Sequence, residues 1–248
     1  MHQALTARPH RVVAASTANA AGVYSSSPNF CLAVLMPPLP VDWSRLRSVL
    51  CIGAHCDDIE IGCATTLLAI KERAPAITCR WVVLSGAGER ESETRKAGNR
   101  LLGESLQVSV ADFRTSYFPA CWGDIKDCFE QVKASVEPDL ILTHWLEDRH
   151  QDHRIVAELT WNTFRHHQIL EYEIPKYEGD LGRPNVYVPS SPEHTGRKVE
   201  ALMSCFPSQH SRPWFRPEVF SGLMALRGME CNASSGYAEA FHARKLIM

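Results

Sequence analysis

The chain alternates between two hydrophobic periods. Short β-branched apolar runs that fit buried strands are separated by longer stretches whose apolar residues recur at helical spacing. Residues 49–54 form the first run, and Ile61, Ala64, Thr65 and Leu68 after it follow the i, i+3, i+4, i+7 pattern of one helix face. A strand at 78–84, a helix over 89–102 closed by Gly103, and a strand at 106–110 come next. Residues 125–136 predict a helix, and Pro138 breaks the chain before a strand at 139–143. The pattern then predicts a long helix over about 149–167, a strand near Glu171 and a Pro- and Gly-rich loop through Pro184. A strand at 185–188 and a helix over about 192–205 complete it. This strand–helix alternation from residue 47 onward predicts an α/β domain around a largely parallel sheet.

Composition narrows the functional classes. The 248 residues carry a formal net charge of -2 and no Lys/Arg block, which argues against non-specific nucleic-acid binding and for a small anionic or neutral ligand. Nine scattered cysteines without a CxxC pair read as reduced thiols, and with them a cytoplasmic location is expected. No stretch approaches the roughly 20 apolar residues of a membrane span. Residues 1–41 are rich in Ala, Ser and Pro and hold no Asp or Glu; they read as a disordered or non-native leader, with the functional domain over 42–248.

Two polar motifs interrupt the apolar pattern where strands give way to helices. In the first, His55-Cys56-Asp57-Asp58, Asp57 and Glu60 match a capping box, but a cap leaves His55 and the second carboxylate unassigned. Adjacent carboxylates repel, and a cation neutralises them; the motif alone does not separate metal site from helix cap. In the second, Asp148-Arg149-His150-Gln151-Asp152-His153, two histidines three apart share a helix face, with Asp148 placed to cap the helix. Both motifs fall at the carboxyl edge of the predicted sheet, where α/β folds bind ligands. Together they favour a catalytic metal centre, because a His/Asp donor set leaves a coordination position open whereas structural zinc sites are thiolate-rich and closed.

Ala54-His55-Cys56-Asp57-Asp58 resembles the A/P-H-P-D-D motif of the PIG-L/LmbE-like zinc deacetylases, and His150-Gln151-Asp152-His153 resembles their H-x-D-H motif. Arg90 and Glu93 before Leu101-Leu102-Gly103, the Pro184-to-Gln209 block, and Tyr237-Ala238-Glu239-Ala240-Phe241 extend the similarity to roughly residues 47–246. The resemblance implies a Rossmann-like fold with helices on both faces of the sheet. It implies that His55, Asp58 and His153 bind Zn2+, that Asp57 is the general base, and that His150 assists in the transition state with Asp152 orienting it. His/Asp sites also accept Fe2+. The activity implied is removal of the N-acetyl group from an N-acetylglucosamine-type sugar or glycoconjugate. An amidase on a glycopeptide or thiol conjugate, or a non-catalytic metal- or sugar-binding Rossmann-like module, are the alternatives. Cys56 stands in place of the usual proline and Ala64-Thr65 in place of a frequent Gly-Gly pair, so the pocket is expected to differ in shape. Arg90 and Glu93 read equally as substrate-binding residues and as an i, i+3 helix pair. Glu173, in the unshared segment 171–177, is the remaining substrate-binding candidate.

Overall fold

The structure, a computed structural model, describes residues 41–246. The leader expected over residues 1–41 lies outside them apart from Val41. In chain order the elements are β1 (Ser48–His55), α1 (Asp58–Arg73), β2 (Thr78–Ser85), α2 (Glu89–Leu102), β3 (Leu106–Val110), α3 (Trp122–Ser135) and β4 (Leu140–His144). They continue with α4 (Gln151–Thr163), β5 (Gln168–Tyr172), β6 (Val186–Pro189), α5 (Pro192–Cys205), α6 (Pro217–Glu230) and β7 (Ala238–His242).

The seven strands form one sheet in the order β3-β2-β1-β4-β5-β7-β6. The first five are parallel; β7 runs antiparallel to β5 and to β6. Strand β1 explains why the sheet is covered twice. Its Val49 and Cys51 face a core shared with α1, α2 and α5, while Leu50, Ile52 and Ala54 face the core of α3 and α4. The chain winds outward from β1 through β2 and β3, then returns to β4 on the other side of β1. That reversal opens a crevice beyond the carboxyl ends of β1 and β4.

Beyond helix α6 and strand β7, which the sequence pattern did not predict, three features depart from it. Helix α4 stops at Thr163 rather than 167, because Phe164 turns into the α3/α4 core. Helix α1 is buried from Asp58 to Ile70, not along one stripe. It is also bent at Cys63 (φ -147°, ψ 16°), which frees backbone groups that two buried side chains then satisfy. Glu239 on β7 accepts the N–H groups of Thr65 (3.0 Å) and Thr66 (2.8 Å), and the Lys198 ammonium donates to the Ile61 carbonyl (2.6 Å) and to Glu239 (2.7 Å). The bend also admits the buried ring of Tyr172, which lies so close to Gly62 that any Cβ there would overlap it.

Candidate metal centre

The two polar motifs meet in the crevice. His55 ends β1, the next two residues turn the chain into α1, and β4 ends at His144 before the loop that delivers His150 to the N-terminus of α4. Asp57 makes its turn with φ 110°, a left-handed conformation that costs free energy in any residue with a Cβ. Ser116, at φ 68°, is a second such residue beside the site.

His55, Asp58 and His153 offer ligand atoms that lie within 4.8 Å of one another. The tautomers follow from the carboxylates behind them. His153 Nδ1 lies 2.9 Å from Asp148 Oδ2, and His55 Nε2 lies 3.0 Å from Asp152 Oδ2, so each ring donates its proton outward. The two remaining nitrogens, both bare, face each other at 3.3 Å. Asp58 Oδ2 sits 3.4 Å from His55 Nδ1 and 3.6 Å from His153 Nε2. Two imidazoles and a carboxylate thus converge, and a divalent cation fits this donor set. Without one, a proton takes the cation's place. Burial alone lowers the pKa of His55, but hydrogen bonds to Asp152 and Asp58 outweigh it and push the imidazole up to about 10. Burial and the neighbouring His144 push His153 down to about 4, so it stays neutral.

Asp152 departs from its expected role. Its carboxylate accepts from His55 Nε2, from the Ser116 N–H (2.6 Å) and from the Phe118 N–H (3.2 Å), and it therefore orients His55 rather than His150. Only its backbone meets His150, whose Nδ1 accepts the Asp152 N–H at 3.3 Å as the cap of α4. That contact leaves the proton of His150 on Nε2, while burial and His55 lower the ring's pKa and keep it neutral. Asp148 is likewise not the helix cap. It is buried, orients His153, and accepts the Lys176 ammonium at 2.8 Å.

Asp57 lies outside the donor cluster, paired with Arg90 at 3.1 Å. Burial raises its pKa against the pull of that guanidinium, to about 7. Arg90 also donates to the Cys56 carbonyl and contacts Glu93 (3.4 Å) and the Ser208 hydroxyl (3.3 Å), so the i, i+3 pair is present and part of the wall. Glu93 is buried and accepts the Ser208 N–H (2.8 Å) and hydroxyl (2.6 Å). Glu173, the remaining substrate-binding candidate, is paired within the protein. Both of its oxygens are taken by Arg227, at 2.5 and 2.9 Å in a buried pair. Cys56 fits its turn because Gly86 opposite has no Cβ to overlap its sulfur, and burial pushes its thiol up to about 12.

Sequence reasoning missed His144. It is fully buried, stacks on His153 with ring centroids 3.9 Å apart, and brings Nε2 to 3.1 Å from Asp58. Its position at the end of an apolar strand was the only available signal.

Comparison with known proteins follows the same lines. A family model described as PIG-L, GlcNAc-PI de-N-acetylase, matches residues 50–164. YaiS of Escherichia coli (strain K12), described as an uncharacterized deacetylase, is 30% identical over 145 residues, covering 53% of this chain and 76% of that protein. Among solved structures, the N,N'-diacetylchitobiose deacetylase of Pyrococcus horikoshii superposes with a TM-score of 0.60 at 16% identity, over 81% of this chain and 85% of its own. GalB, the 4-carboxy-2-hydroxymuconate hydratase of Pseudomonas putida KT2440, does so with a TM-score of 0.62 at 17% identity, over 82% and 98%. At these identities both likenesses concern the fold.

Proposed function

As the chain belongs to the PIG-L (GlcNAc-PI de-N-acetylase) family, we propose that it is a metal-dependent hydrolase that removes the N-acetyl group from an N-acetylglucosamine-type sugar or glycoconjugate. The observation that carries this reading is the convergence of His55, Asp58 and His153, whose ligand atoms lie within 4.8 Å of one another while the other nitrogen of each ring faces a carboxylate. These three residues hold the metal, zinc or ferrous iron. Bound there, it supplies Lewis acidity, polarising the acetyl carbonyl and lowering the pKa of a water towards about 7.

The chain's own groups do the rest. Asp57, balanced near neutrality by burial against Arg90, takes the proton of the attacking water and then returns it to the amine nitrogen as the C–N bond breaks. His150, neutral and with its proton on Nε2, donates a hydrogen bond to the developing oxyanion; its lowered pKa favours this role over proton transfer to the amine. Asp152 and Asp148 fix the two histidine ligands in the tautomers the metal needs. The products are acetate and a free amine.

A panel of N-acetylglucosamine conjugates, free, nucleotide-linked, lipid-linked and thiol-linked, tests the reading. Because a hydratase shares this fold, the assay reads acetate rather than loss of substrate. Acetate release that stops on chelation and returns with zinc or ferrous iron is the expected outcome; release that is indifferent to chelation, or none from any N-acetyl compound, rejects it.

A further inference from the structure

The loop between β5 and β6 reaches back to the centre through a single ammonium. Lys176 Nζ lies 2.8 Å from Asp148 Oδ2 and 2.7 Å from Asp180 Oδ2, and also donates to the Ile174 carbonyl at 3.3 Å. Asp180 in turn accepts the Arg149 N–H at 2.6 Å, fastening the far end of the loop to the residue after Asp148. The oxygen of Asp148 that Lys176 grips is the same Oδ2 that receives the proton of His153 at 2.9 Å. Asp148 is 1% exposed, so water offers its carboxylate little screening.

We infer that Lys176 is a positioning residue for the metal centre: it is the counter-ion that lets the buried carboxylate of Asp148 and the half-buried one of Asp180 stand side by side, and so holds Asp148 where it orients His153. The inference rests on the metal-site reading above. Without the ammonium the two carboxylates face each other unneutralised, and like charges at that range in a dry environment repel strongly. Asp180 hangs on a loop, whereas Asp148 is also held by the His150 N–H at 2.7 Å, and the repulsion strains both positions. Asp148 then turns from His153, and the imidazole loses the partner that sets its tautomer and angle. The loop between β5 and β6 loses its latch to Asp148 in the same event.

The test is zinc affinity, measured by competition with a chelator on the full chain, with thermal melting to verify folding. Lys176→Met weakens zinc about tenfold, the lower end of what loss of an outer-shell partner costs. Lys176→Arg, which keeps the charge, stays within about threefold of the parent. The discriminating variant is the double one. If repulsion displaces Asp148, Asp180→Asn added to Lys176→Met restores zinc affinity to within about threefold, although it removes a further native contact. A purely structural role for Lys176 predicts the opposite, with the double variant no better than the single. Should the methionine variant not fold, Lys176→Gln, which keeps a donor without the charge, carries the same expectation. His55→Ala is the control. If it abolishes zinc binding while Lys176→Met binds zinc like the parent, the inference on Lys176 fails and the metal site stands; if His55→Ala binds zinc like the parent, both fail.

Discussion

Helix α1 carries two buried ionic clusters, one at its N-terminus and one at its bend, and they differ in how their donors and acceptors balance. At the bend, Lys198 and Glu239 meet each other and the Ile61 carbonyl and the Thr65 and Thr66 N–H groups, so each charge has its partners. At the N-terminus, acceptors outnumber donors. His55, His153 and Asp58 present three lone pairs to one point, and behind each histidine a further carboxylate has claimed the ring proton. Burial of charge is common to both regions and marks neither as functional. What distinguishes the site is a convergence of acceptors that a cation would balance, next to a carboxylate at φ 110° whose pKa is raised to about 7.

The sharpest way to break this contrast is to remove chemistry without removing the metal. Asp57→Asn keeps the donor cluster intact and lowers kcat/KM for acetate release by roughly 10³-fold, within the range of a general base, with zinc content unchanged. Loss of zinc in that variant would place Asp57 among the ligands instead. The cluster at the bend should respond in the opposite currency. Lys198→Met leaves Glu239 buried without its counter-ion and costs about 3–5 kcal/mol of stability. For a domain of this size that lowers Tm by roughly 10 °C, while zinc binding by the folded protein is retained. Calorimetry with zinc titration on the same sample separates the two effects.

A smaller effect sharpens the account of the N-terminal cluster. In the metal-free protein the His55 proton is held up to about pH 10, and binding a cation at Nδ1 expels it. The proton is therefore bound in the free form and absent from the loaded form at neutral pH, so zinc affinity falls as pH falls, by about tenfold per unit. His153, already neutral above about pH 4, adds nothing to that slope. A slope near zero between pH 6 and 8 would mean that His55 carries no such proton.

The sequence made much of this legible for identifiable reasons. Strands β1, β2 and β4 are continuous apolar runs between breakers, and α2, α3 and α5 carry periodic faces, so local pattern suffices for them. Strand β7 was hidden because five residues, Ala238–His242, with a glutamate among them, look polar until Lys198 supplies the partner on another element. Helix α6, Pro217–Glu230, was missed in the same stretch, which drew no element from the apolar pattern. Within the site, the types and spacing of His55, Asp57, Asp58, His150 and His153 stood out, but the partner of each carboxylate did not. Asp152 could turn to His150 two residues away or to His55 on another strand, and only side-chain direction decides. Lys176 and Asp148 are 28 residues apart, with nothing local in either to announce the pairing.

On the proposed reading, one metal ion completes the cluster formed by His55, Asp58 and His153. Equilibrium dialysis against zinc, with the parent and the three alanine variants at these positions alongside Lys198→Met, measures it without any substrate. The account predicts one tightly held zinc per chain in the parent and in Lys198→Met, and its loss in His55→Ala, Asp58→Ala and His153→Ala. Retention of a full equivalent by all three alanine variants would contradict it.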